Sequence, residues 1–302
     1  MNRSLTAFAL FFSVMLGGVS APQAALAQGA EQVVLQPSSR WHASYEDGVC
    51  RLARMFEAQN STHALIFEQT GPSSNFNLTL TGEEFSEFSQ NREVRLGFGS
   101  DDLVGDHDIV MEESSEFGQM VFLKDVGLKE IDSSTNATQA DPGLTALGRS
   151  IDPETAQNAL SVTIAQRDKS LTFDTGPLAQ PFQVLNECSL HILSTWGLDV
   201  AKHKELQRGV SMLRPNRIAR NVSNTYPQLA LQEGRTGVVG LTLLVDELGQ
   251  PTECMITHDS GHADLNQAAC RGLMEGAYEP ALDADGVPIG SFFVTRVIYR
   301  LG

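Results

Sequence analysis

The chain has 302 residues, 41% of them hydrophobic and 19% charged, which excludes wholesale disorder and makes two domains the economical division. Its formal net charge of -16 at pH 7 argues against binding nucleic acid or anionic lipid unless a local basic patch intervenes.

The first residues, MNRSLTAFALFFSVMLGGVSAPQAALAQ, set Arg3 before an apolar run over residues 5–16 and small residues around Ala25, Leu26 and Ala27. That order predicts a signal peptide over residues 1–27, cleaved after Ala27, with a retained amino-terminal anchor as the competing reading. The run is short for a membrane span and no second one follows, so no stable span is expected after processing. Residues 28–39 are polar and small, which predicts a flexible lead-in.

An amino-terminal α+β domain is expected over residues 40–200. In YEDGVCRLARMF, Val49, Leu52, Met55 and Phe56 recur at helical spacing, so Cys50 is expected on a helix. HALIFEQ and NFNLTLTG read as strands around a Gly-Pro-Ser-Ser turn, which has no P-loop lysine and is no phosphate cradle. VRLGFG and QMVFL continue an antiparallel sheet, and residues 132–145 form a loop within the domain. ALSVTIAQ and SLTFDTG predict two strands about the polar turn at residues 167–170. A helix follows, with Phe182, Leu185, Cys188, Ile192 and Leu193 on a buried stripe and Ser189 at its edge. Residues 201–225 form the connection, interrupted by Pro215. Arg214, Arg217, Arg220 and Arg235 lie in or just beyond it without an aromatic-rich surface, so nucleic-acid binding is not expected.

The second domain, residues 226–302, is patterned more clearly. Val239, Leu241, Leu243 and Val245 alternate on one strand face. A hairpin turn with Gly249 follows, and Cys254 and Ile256 point back to the same interior. Leu265, Ala268, Ala269 and Leu273 have helical spacing, with Asp264 as the expected amino-terminal cap. A turn at residues 283–286 and the strand FFVTRVIYR complete a ββαβ unit with an antiparallel sheet. Phe292, Val294, Arg296 and Ile298 face opposite to Phe293, Thr295, Val297 and Tyr299, and the pattern leaves open which set meets solvent.

YPQLALQEG, GVVGLTLLVDELGQP, CMITHDSGHADLNQAAC, YEPALDADGVPIG and FFVTRVIYRL occur in the order of, and resemble, the TonB carboxyl-terminal domain family. The agreement includes Tyr226-Pro227, Gly234, Gly237, Gly249, Pro251 and Pro280 and covers about a quarter of the chain. The resemblance implies a periplasmic interaction module that contacts an outer-membrane transporter. Energy-transducing members add a retained inner-membrane helix and a long Pro-rich spacer. This chain has a cleavable-looking leader and a folded domain there instead, so direct energy transmission is not expected.

The expected function is protein binding linked to outer-membrane transport or envelope trafficking, with an edge strand recruiting an extended chain through backbone hydrogen bonds. The candidate partner-binding residues are Tyr226, Pro227, Phe292, Phe293, Val294, Arg296, Val297, Ile298 and Tyr299, and the expected partner is an envelope or outer-membrane protein such as a TonB-dependent transporter. Two alternatives stand beside it: an envelope enzyme with its active site in the first domain, and a homodimer paired through the last strand.

The four cysteines, Cys50, Cys188, Cys254 and Cys270, permit three full pairings. Locality favours Cys254 with Cys270, leaving Cys50 with Cys188. No CxxC motif points to redox catalysis. His258 and His262 flank a Ser-Gly turn rather than sharing a helix face, which argues against a metal site. His258, Asp259 and Ser260 are adjacent in sequence and lack a nucleophile elbow, which argues against a triad. No motif requires a cofactor.

Overall fold

A computed structural model describes residues 31–58, 61–99, 103–114, 117–128 and 150–301. The expected signal segment, its cleavage point and the loop at residues 132–145 lie outside the described residues.

The first domain contains β1 (Glu31–Pro37), β2 (His42–Glu46), β3 (Val49–Ala58), β4 (Ser61–Gln69), β5 (Asn75–Thr81), β6 (Val94–Phe98), β7 (Val104–His107), β8 (Val110–Ser114) and β9 (Gly118–Gly127). After these come helix α1 (Pro153–Asn158), β10 (Ser161–Gln166), β11 (Lys169–Asp174) and helix α2 (Ala179–Thr195). The strands form one sheet in the order β7-β6-β10-β11-β1-β3-β4-β5-β9-β8, with β2 also on β3. Every pairing is antiparallel except β1 with β11. The end strands β7 and β8 are separated in sequence by only Asp108 and Ile109, so the ends of the sheet must converge and the sheet curls into a half-barrel. Phe182 of α2 packs into its concave side, with ring centroids 4.8 Å from Phe67 and 5.3 Å from Phe76. Phe182, Leu185, Ile192 and Leu193 are buried, as the helical spacing predicts, whereas Ser189, expected at the edge, is buried and Cys188, expected on the stripe, is half-buried.

Two expectations fail here for identifiable reasons. The stretch expected as a helix around Cys50 is the β2-β3 hairpin. Asp47 (φ 52°) and Gly48 (φ 73°) are both left-handed, the conformation that a two-residue hairpin turn needs. The apparent helical stripe mixes two strand faces: Cys50, Leu52 and Phe56 are buried, while Met55 lies on the other side. The expected flexible lead-in contains β1, in the middle of the sheet, where Val33 pairs with Leu171 and Leu35 with Phe173. Only a short apolar core within polar flanks marks it, which is why composition reads as a linker.

The connection is also more structured than expected. It contains α3 (Val200–His203), the short strand β12 (Ser211–Met212) and α4 (Pro215–Asn224). Pro215 does not break α4. It opens it, at a position where the missing N–H has no helical partner to lose. Ile218 and Val222 of α4 join the core of the second domain.

The second domain continues with α5 (Gln228–Gln232), β13 (Gly237–Val245), β14 (Pro251–His258) and α6 (Ala263–Met274). It ends with β15 (Tyr278–Glu279), β16 (Ala281–Leu282), β17 (Pro288–Ile289) and β18 (Ser291–Tyr299). The main sheet has the antiparallel order β14-β13-β18, giving the expected ββαβ unit. Val239, Leu241, Leu243 and Val245 meet Leu265, Ala268, Ala269 and Leu273 in one core, so the alternating and helical patterns converge. Gly249 (φ 78°) turns the β13-β14 hairpin, and a Cβ there would come within 2.1 Å of the Tyr278 carbonyl oxygen. Asp264 is not the helix cap: His262 takes that position without a side-chain bond. Asp264 sits in the first turn, favourable for a carboxylate, and accepts a bond from Arg235 Nη1 at 3.0 Å.

Candidate functional site

Strand β18 pairs with β13 along its whole length, from Gly237 opposite Tyr299 to Val245 opposite Ser291. Among the described residues no strand pairs with its other edge. The backbone groups on that edge therefore form an open hydrogen-bonding row, as do those on the outer edge of β14.

The two side-chain faces of β18 divide clearly. Phe293, Val297 and Tyr299 join the core beneath α6. The opposite face turns towards the first domain. Phe292 is 2% exposed and its ring lies 5.6 Å from Trp196 and 6.3 Å from His203, the latter nearly parallel. A Cβ added at Gly71, in the β4-β5 turn, would come within 2.4 Å of two Phe292 ring atoms, so only glycine admits the ring there. Val294 and Arg296 are half-buried, and Ile298 is 48% exposed. Neither face of the strand is thus wholly solvent-facing.

Polar contacts reinforce this junction. His203 is fully buried and its Nδ1 donates to the Asp199 carbonyl oxygen at 2.7 Å. With that proton on Nδ1, neutral Nε2 accepts from Ser291 Oγ at 3.0 Å. Burial pushes the His203 pKa down, against the hydrogen bond and charge of Asp199. Burial also lowers that of Arg296, with Glu68 of β4 and Glu112 of β8 pulling the other way. Lys202 Nζ lies 3.6 Å from Asp283 Oδ2, and the rings of Phe122 and His258 are 6.1 Å apart.

Tyr226 packs edge-on against Tyr299 at 4.7 Å, and its hydroxyl donates to the Arg235 carbonyl. Pro227 stands at the start of α5. The structure brings Tyr226 to the far end of β18 and Phe292 to the near end.

Both disulfides are present: Cys50 with Cys188, and Cys254 of β14 with Cys270 of α6. Between the latter pair, Asp259 Oδ1 accepts from Gly261 N at 2.8 Å and from Asn266 Nδ2 at 2.6 Å. Those bonds hold the Asp259 carboxyl below its ordinary pKa. Asn266 Oδ1 in turn accepts from Ser260 N at 3.1 Å and from Ser260 Oγ at 2.8 Å. Ser260 is therefore tied to an amide, and the polar residues of this stretch organise the turn into α6. Asn266 was not singled out from the sequence, although an Asn in the first turns of a helix after a Ser-Gly pair is a residue able to bond back to that turn. Among the described residues no group of three or more His, Cys, Asp or Glu side chains is placed to hold a metal.

The first domain holds one polar cluster that sequence reading missed. His63 is fully buried, with Nε2 bonded to Glu84 Oε2, and Ser61 Oγ donates to Glu84 Oε1 at 2.6 Å. The carboxylate stands between hydroxyl and imidazole, so the imidazole is not the base for the serine, and the three do not make a hydrolytic relay. Burial raises the Glu84 pKa, but bonds from Ser61 and its own backbone, with the charge and bond of His63, outweigh it and leave the group below its ordinary value. A depressed carboxyl contributes stability that is present above its unfolded pKa and lost as pH falls through the folded one. Glu84→Gln is therefore expected to flatten the acid limb of stability against pH, measured by urea unfolding at a series of acidic pH values.

A three-stranded antiparallel sheet backed by one helix, with an open edge, defines the terminal unit. Residues 222–301 match the family model for the Gram-negative bacterial TonB protein C-terminal domain, and a TonB-family C-terminal domain is identified there. The first domain has no family assignment. No curated protein and no solved structure matches the chain. The terminal domain's family implies a periplasmic, transport-linked role and is not a catalytic one. No helix among the described residues is long and apolar enough to cross a membrane.

Proposed function

We propose that the protein is a periplasmic binding module that takes an extended segment of an outer-membrane or other envelope protein onto the free edge of β18. The observation that carries this reading is the strand's one-sided pairing with β13. A ligand strand would bond the backbone of Phe293, Thr295, Val297 or its neighbours, giving affinity without a catalytic side chain. Ile298 and Arg296 would meet the ligand on one face, and the Tyr226-Pro227 corner would border it where β18 ends. Phe292, held by the first domain, would fix the position of the edge rather than touch the ligand.

In-cell photocrosslinking from Ile298 and Arg300, followed by identification of the captured protein, tests the proposal. Reproducible capture of an outer-membrane transporter is the expected result. Crosslinks only to a second copy of the chain would replace heterologous recognition by the homodimer.

A further inference from the structure

The basic stretch before the terminal sheet pairs with other strands only through Arg208 and β12, and its arginines at positions 214, 217 and 220 lie outside every strand pairing. In a chain of net charge -16, no Asp or Glu occurs between Glu205 and Glu233, whereas Arg208, Arg214, Arg217 and Arg220 do. Arg208 is paired with Glu279. Arg214, Arg217 and Arg220 are exposed, and among the described residues none makes an ion pair. Arg214 precedes α4, and Arg217 and Arg220 lie on the helix, one turn apart. The apolar side of α4, Ile218 and Val222, is used against α6: a Cβ on Gly272 would come within 2.7 Å of the Val222 backbone. The arginine side is left facing outward by that packing.

We propose that this outward face of α4 binds an acidic, extended peptide segment of a partner protein. The three arginines span about 9 Å along the helix direction at 1.5 Å per residue. That is the length of about three residues of extended chain, so closely spaced Glu or Asp side chains can meet successive guanidinium forks. A membrane surface fits less well. A helix lying on a bilayer needs its apolar face outward, whereas that of α4 is turned inward, and the exposed leucines near it in sequence, Leu213, Leu229 and Leu231, lie outside the helix. The acidic body would also be repelled by an anionic sheet but much less by one thin peptide. Residues 206–225 contain no aromatic side chain on which a base could stack. The proposal stands independently of the β18 edge.

The test measures binding of a fluorescein-labelled peptide of alternating glutamate and serine to the full chain, by anisotropy at low and moderate salt. Three proteins are compared: the unaltered chain, the triple variant Arg214→Gln, Arg217→Gln, Arg220→Gln, and a control with Arg40→Gln, Arg92→Gln, Arg95→Gln. Both variants lose the same charge, and circular dichroism checks that each is folded. Binding that weakens with salt, falls about tenfold or more in the first variant and is unchanged in the control is expected. Equal loss in both variants would reduce the effect to net charge and overturn the proposal. So would absence of peptide binding, including the case in which phosphatidylglycerol vesicles bind through the same arginines.

Discussion

Replacing Cys50 and Cys188 together by alanine is expected to destabilise the first domain by on the order of 5 kcal/mol, the chain-entropy figure for so long a closed loop. The two residues are 138 apart in sequence, against 16 for Cys254 and Cys270, where the same reasoning gives about 3 kcal/mol. The bridge joins β3 to α2, and α2 delivers Phe182 into the half-barrel core. Without it, the unfolded chain regains the freedom of nearly the whole domain, while the folded state must hold α2 by packing alone. Urea unfolding of both double variants beside the parent protein, followed by far-ultraviolet circular dichroism, checks the order of effects. A Cys50/Cys188 variant with the parent midpoint, or one less affected than the Cys254/Cys270 variant, would contradict it.

The parts of the fold that were legible in the sequence are those in which one local signal acts alone. The β13 strand alternates cleanly because one face meets α6, and the helix opposite it has its small residues where the sheet approaches. The β2-β3 hairpin was misread because a broad apolar count outweighed the Asp47-Gly48 pair, although that dipeptide is the stronger short-range signal. Strand β1 was missed because its pairing with β11 reaches across the domain to Lys169 and beyond, and nothing local announces it. On β18 the sequence was ambiguous for a physical reason. Both faces carry apolar residues because both are covered, one by α6 and the other, at Phe292, by the first domain. A strand covered on both sides loses the alternation that would reveal its inward face. The His63 cluster was equally hidden, since His63 and Glu84 come from separate elements and meet only through folding.

Phe292→Ala is expected to loosen the junction between the domains by about 3–5 kcal/mol, the cost of emptying a packed phenylalanine site. Its ring is bounded by Trp196 and His203 from the end of the first domain and its connection, and by the backbone of Gly71. The β13-β18 ladder should survive, because Phe292 pairs with Leu244 through the backbone and the side chain takes no part. Loss of the ring therefore separates two roles of one strand: anchoring to the first domain and completing the terminal sheet. Gly71→Val provides the converse variant, since even its Cβ would overlap the Phe292 ring from the other domain. Both variants should make unfolding less cooperative between the domains and speed limited proteolysis in the connection at residues 201–214. A single unfolding transition with an unchanged midpoint in Phe292→Ala would refute the proposed anchoring. If both variants instead uncouple the domains, the first domain acts as the mount that fixes β18, and partner binding by the uncoupled edge can be compared directly with binding by the anchored one.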